Sequence, residues 1–262
     1  MRRLATWLLF TALAVGARDV DAATSCTASA TPLAFGSVSG AAPVDASGTV
    51  TVSCSTAGVT LLSVIRLRMR LNIGAGASGG GQSAPRRMRN ASNDTLQFQI
   101  YQDAARSLIW GSTASAVTPT PLETTFEYSV LLLGASYSMN IPMYGRIPVQ
   151  SGLAAGSYTN AFTGGADTRL DYRYNEPLLL APPFPTSCTT GGTGGGSITF
   201  PFTVSAPVPN RCTITSVTPM AFGTVPGRIT GNVDQTATLV FNCTGRTAWT
   251  VGLDNGSHAS GP

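Results

Sequence analysis

Short stretches in which apolar and polar side chains alternate recur along this chain, separated by clusters of Gly, Pro, Ser and Thr. Val64-Ile-Arg-Leu-Arg-Met-Arg-Leu-Asn-Ile73 is the plainest: Ile65, Leu67, Met69 and Leu71 fall on one side, Arg66, Arg68 and Arg70 on the other. A period of two is that of a strand with one buried face. Gly48–Cys54, Leu96–Tyr101, Phe126–Leu133, Ser138–Ile147, Asp167–Tyr174, Ser197–Val204 and Thr238–Cys243 read the same way. Helix-period segments are hard to find, and the pattern predicts an all-β sandwich. Gly74–Gly81 is expected as a flexible loop, with Arg86, Arg87 and Arg89 as its edge. The loop lacks the terminal Gly-Lys-Ser/Thr of a phosphate-binding loop, which argues against nucleotide binding.

One stretch returns. Cys26 opens a segment containing Thr31-Pro-Leu-Ala-Phe-Gly36, Asp45 and Cys54; Cys212 opens another with Thr218-Pro-Met-Ala-Phe-Gly223, Asp234 and Cys243. Self-similarity so far apart marks a duplicated module. In each copy a cysteine begins the first strand and another ends the second. Bridges Cys26–Cys54 and Cys212–Cys243 are expected in place of free buried thiols, each stabilising by about 3–4 kcal/mol through loop closure. The compartment agrees. Met1-Arg-Arg, an apolar run from Leu4 to Val15 and Val20-Asp-Ala22 form a secretory signal peptide over residues 1–22, which directs the chain to an oxidising environment. Cys188 is the odd one of five cysteines: it is free, pairs between molecules, or has a partner elsewhere.

Charge and composition remove several functions. Every basic side chain is arginine, and the formal charge of +4 falls by one when Arg2, Arg3, Arg18, Asp19 and Asp21 leave with the signal peptide. That bias is too small to argue for nucleic acid. The only histidine, His258, stands alone near the end, so a Ser-His-Asp or Cys-His constellation has little to work with. No Cys-x-x-Cys or His-Glu-x-x-His spacing suggests a metal. Asp45, Asp103 and Glu127 are scattered, as turn or salt-bridge residues are, and do not form a general acid/base pair. No catalytic residue, metal or cofactor is expected.

Several spaced motifs agree in order: Cys-Thr with Thr-Pro-x-Ala-Phe-Gly, the run from Leu96 through Tyr101, Asp103 and Arg106 to Trp110-Gly111, Tyr144-Gly-Arg-Ile-Pro148, and Ala155-Gly-Ser-Tyr158. Together they resemble the spore coat protein U domain, a family that includes subunits of archaic chaperone–usher pili. The resemblance covers Cys26 to about Tyr158 and restarts at Cys212. It implies an immunoglobulin-like β-sandwich. It also implies export through the periplasm to the cell surface, with a periplasmic chaperone, an outer-membrane usher and a neighbouring pilin as partners. In such pilins an open groove is filled by a strand from the next subunit, which is donor-strand complementation.

The chain departs from a single module in ways that set an expectation for its role. Ile198–Val204 reads as a closing strand for the first module, joined by Ala206-Pro-Val-Pro209 to the second. The expected layout is a head domain over 23–208 and, over 209–262, the N-terminal part of a second, truncated pilin domain. Few mature residues precede Cys26, too few for a donor strand. That layout is the one of a tip adhesin attaching to abiotic or host surfaces and building biofilms; a shaft pilin or spore-coat component is the alternative. Between two strands lies the long segment Asn175–Gly196, whose near half reads Leu178-Leu-Leu-Ala-Pro-Pro-Phe184. Leu178, Leu179, Leu180 and Phe184 either form an exposed adhesive loop or fold back on the core. Arg66, Arg68 and Arg70 form either a polyanion-binding ridge or a solvated outer face.

Overall fold

A computed structural model describes residues 23–58, 63–131, 134–176 and 181–257. The strands, in chain order, are β1 (Ala23–Ala30), β2 (Leu33–Ala34), β3 (Val44–Ala57), β4 (Ser63–Ile73), β5 (Arg86–Arg89), β6 (Thr95–Tyr101) and β7 (Leu122–Val130). They continue with β8 (Ala135–Ile147), β9 (Gly156–Phe162), β10 (Thr168–Asn175), β11 (Gly194–Ile198), β12 (Phe202–Val208), β13 (Cys212–Val217) and β14 (Leu239–Cys243). An eight-stranded sheet, ordered β1-β3-β8-β6-β5-β9-β12-β2, packs on a four-stranded sheet, ordered β11-β10-β4-β7. The result is the expected all-β, immunoglobulin-like sandwich.

The core follows the alternation. Ile65, Leu67, Met69, Leu71 and Ile73 of β4 point inward and are fully buried, as are Val50 and Val52 of β3 opposite them. Cys26 and Cys54 face each other directly in the β1–β3 register and are disulfide-bonded, and Cys212 and Cys243 repeat the arrangement between β13 and β14. Both anticipated bridges are therefore present. In Tyr144-Gly-Arg-Ile-Pro148 the glycine is required by contact: a Cβ at Gly145 would lie 2.7 Å from both Leu33 Cδ2 and Phe35 Cζ. β2 and Phe35 just after it thus pack flush on β8.

Three expectations are corrected. The run Ser197–Val204 is not one strand: β11 ends at Ile198 in the small sheet, and Thr199-Phe200-Pro201 carries the chain across to begin β12 in the large sheet. Pro201 supplies no ladder N–H, so the break falls where pairing is interrupted anyway. The strand expected over Phe126–Leu133 ends at Val130. Arg86–Arg89, expected as a loop edge, is β5, paired with β6 and β9. Arg86 points into the core, fully buried; its Nε donates to the Gly74 carbonyl at 2.7 Å and its Nη2 to the carbonyls of Ile73 and Trp110, each at 2.7 Å. Nη1 donates to Gln99 Oε1. Burial pushes this guanidinium down to about 9, still far enough above neutrality to keep it charged.

The strand that closes the first sandwich is β12. It runs antiparallel to β9 and parallel to β2, filling the slot between them. Phe202, Val204, Ala206 and Val208 point inward and are buried, and Phe202 stacks on Phe162 at 4.6 Å between ring centroids. Beyond it, the hairpin β13–β14 forms a separate sheet. Ile214, Val217, Met220, Phe222, Trp249 and Leu253 in this region are exposed.

Candidate functional site

The strand registers define the two ends of the first sandwich. Thr56 pairs with Ala135, Ser63 with Val130 and Asn175 with Arg66, so β3, β7 and β10 finish, and β4 and β8 start, at one end. The opposite end holds the start of β9, where Gly156 pairs with Val208, the last residue of β12. The β13–β14 unit therefore leaves from the end away from the β3–β4 and β7–β8 connections.

Leu178, Leu179 and Leu180 lie outside the described residues. Phe184, from the same segment, is half-buried: the Arg66 guanidinium carbon sits 4.9 Å from its ring centroid. Arg66 Nη1 also donates to the Pro182 carbonyl at 2.7 Å, Asn175 Nδ2 to the Pro183 carbonyl at 2.7 Å, and Arg173 Nη2 to the Thr189 carbonyl at 2.6 Å. Residues 181–193 thus lie back over the outer face of the small sheet. Phe184 packs on an arginine there and not on the core. Cys188, within this segment, is a free, buried thiol, pushed up in pKa by burial and by Glu123, against the opposing pull of Arg68.

The arginine stripe is neutralised where it stands. Arg66 pairs with Glu127 at 2.6 Å, Arg68 with Glu123 at 3.1 Å and Arg70 with Asp171 at 3.1 Å. Asp171 is itself buried and takes a second arginine, Arg169, at 2.7 Å. A guanidinium already shared with a carboxylate offers little to an incoming anion. Glu127 stands on the polar side of the expected strand Phe126–Leu133 and Glu123 lies just before it; Asp171 stands on the polar side of Asp167–Tyr174 with Arg169 and Arg173, and nothing in that alternation pairs it with Arg70. The scattered acids behave as structural groups. Asp45 binds Arg146 through both oxygens, at 2.7 and 2.9 Å, and Asp103 caps the amides of Ser107 and Leu108. Their carboxyls are held below the usual range, Asp45 by its Arg146 hydrogen bond and Asp103 by the Leu108 amide. His258 lies outside the described residues, and among those described no three His, Cys, Asp or Glu side chains gather as metal ligands.

At the end where β3 and β7 finish, Thr24, Thr56 and Tyr128 are joined by hydroxyl hydrogen bonds, and two large apolar or aromatic side chains reach solvent beside them. Leu131 is 62% exposed and Tyr137 40%, the latter stacked on Phe126 at 5.2 Å. In sequence, the connections leaving this end read Val-Thr-Leu-Leu over 59–62, Leu-Leu-Leu over 131–133 and Leu-Leu-Leu over 178–180. Of these three runs, only Leu131 is among the described residues.

Comparison with solved structures finds a likeness to the CsuC–CsuE chaperone–tip adhesion subunit pre-assembly complex from the archaic chaperone-usher Csu pili of Acinetobacter baumannii. It has 13% sequence identity and a TM-score of 0.34, covering 85% of this chain and 72% of that one. No curated protein matches the sequence. The Spore Coat Protein U domain matches over residues 11–164 and again over 198–262, in agreement with the duplicated cysteine segments. The chain therefore belongs to the Spore Coat Protein U domain family, the family that includes subunits of archaic chaperone–usher pili.

Proposed function

We propose that this chain is the tip adhesin of an archaic chaperone–usher pilus: a head over 23–208 followed by a pilin-type unit that begins at 209. The observation that carries the reading is β12. A pilin waiting for its neighbour has an empty slot in its sandwich, and here the slot between β9 and β2 is filled from within the same chain. A head closed in this way has no use for a donor strand, so the fibre attaches through the following unit alone, by donor-strand complementation. Chaperone and usher would act on that unit during export to the cell surface.

The arrangement of the ends supports the same role. The following unit leaves from one end of the sandwich, while the leucine-rich connections and exposed Leu131 belong to the other. Apolar side chains held away from the fibre can bury themselves against plastic, lipid or a host surface, gaining about 1.5–3 kcal/mol each without a specific receptor. This favours Leu131 and the Leu178–Leu180 segment over Phe184, which is already covered by Arg66, and over the paired arginines. The double substitution Leu131→Asp, Leu179→Asp in the full-length protein tests it. Pili should still assemble, while attachment to polystyrene and biofilm formation fall by at least about tenfold. Normal pili with undiminished attachment would remove the leucines as the binding element.

A further inference from the structure

The motif Ala155-Gly156-Ser157-Tyr158 is left without a task by the proposed function. Tyr158 is fully buried at the start of β9, and its hydroxyl donates back to the Ala154 carbonyl at 2.8 Å. This is a tyrosine corner, in which a strand's early Tyr ties down the backbone just upstream. Gly156 fits the turn with a φ of 148°, and a Cβ there would lie 3.1 Å from Asn90 Nδ2. The corner thus presents Leu153–Ala155 as a short, fixed piece of backbone at the end of the sandwich from which the β13–β14 unit departs.

That unit meets it. The Gly245 N–H donates to the Leu153 carbonyl at 2.9 Å and the Ala155 N–H to the Gly245 carbonyl at 2.8 Å, a parallel bridge centred on Ala154. The next residue, Arg246, grips Asp94 through both carboxylate oxygens, at 2.6 and 3.0 Å. Asp94 is in turn held by Asn90 Nδ2 at 2.9 Å. The link between units is short, from Val208 at the end of β12 to Cys212 at the start of β13, and Pro207 and Pro209 limit its backbone. A tether of that length keeps the second unit at an effective concentration on the order of mM, so weak contacts suffice to hold it.

We infer that the tyrosine corner is a docking surface for the following unit, and that Gly245 and Arg246 latch onto it to fix the two units in one orientation. The two backbone bonds set the register. The guanidinium–carboxylate fork sets the rotation, because a bidentate pair admits one in-plane approach. Load applied to the following unit then enters the head at two neighbouring strands, β12 through the linker and β9 through the corner. The latch does not depend on what the leucine-rich end binds, so the two proposals fail separately.

Hydrogen exchange in the full chain tests the latch at the amides of Ala155 and Gly245. Both should be protected in the unmodified protein. Arg246→Ala, a substitution at a side chain that is 55% exposed, should accelerate both by about tenfold or more while the amides of Asn160 and Val204 stay unchanged. Tyr158→Phe should accelerate the same two amides by releasing the Ala154 carbonyl. Exchange at Ala155 and Gly245 as fast as in an unstructured peptide, or no response to Arg246→Ala, would overturn the inference.

Discussion

Replacing Val204 with Asp is expected to unfold the first sandwich, at a cost of about 4–5 kcal/mol or more. The residue is fully buried at the middle of β12, between β9 and β2 with its side chain in the core, so the substitution removes a buried apolar side chain and places an unpaired carboxylate in its stead. Thr203→Asp, one position earlier on the exposed side of the same strand, should change stability by only about 0.5 kcal/mol. Chemical denaturation of the two variants reads the difference directly. The contrast also tests the role given to β12: if Val204→Asp left the head folded, the strand would be an accessory, and the case for a self-closed head would go with it.

Arg86→Met carries the next largest expected effect, a loss of about 4 kcal/mol. The side-chain volume is nearly kept, but three main-chain carbonyls lose the guanidinium as donor in a fully buried site, and Gln99 Oε1 keeps only the Ile100 N–H. Each buried acceptor left unsatisfied costs about 1–3 kcal/mol, partly recovered because the desolvation of the guanidinium is no longer needed. Thermal unfolding should show the loss. Near-ultraviolet circular dichroism should show that Trp110, whose carbonyl Arg86 binds and whose indole donates to Leu71, has changed its surroundings.

Arg86 also shows where the sequence was readable and where it was not. β3, β4, β6, β8 and β10 were legible because each exposes a polar face and buries an apolar one. β5 was not. Arg-Arg-Met-Arg has no apolar alternation, since one of its two inward positions is filled by a charge, held by the carbonyls of Ile73, Gly74 and Trp110 and by Gln99, and polarity alone places such a residue outside. The same holds for β11 and β12: Ser197–Val204 alternates without a break, and only the transfer between sheets at Thr199-Phe200-Pro201 divides it.

The candidate site was legible in composition and not in arrangement. Arg66, Arg68 and Arg70 stand out as a stripe, but their charge is taken up by Glu123, Glu127 and Asp171 from two adjacent strands, and Arg66 is occupied further by the Pro182 carbonyl and the Phe184 ring. None of those contacts has a local sequence marker. The latch between units is similar: Asp94 and Arg246 are far apart in the chain, and the Gly-Ser-Tyr motif gives no hint that its corner receives Gly245.

The proposed tip role requires a head that is closed from within and a fibre contact made only by the unit behind it. Gold-labelled antibody against the 23–208 region, viewed on intact pili by electron microscopy, tests this most directly. The expected image is label at one free end of each fibre and nowhere else. Label spaced regularly along the shaft would contradict it and make the chain a repeating structural subunit.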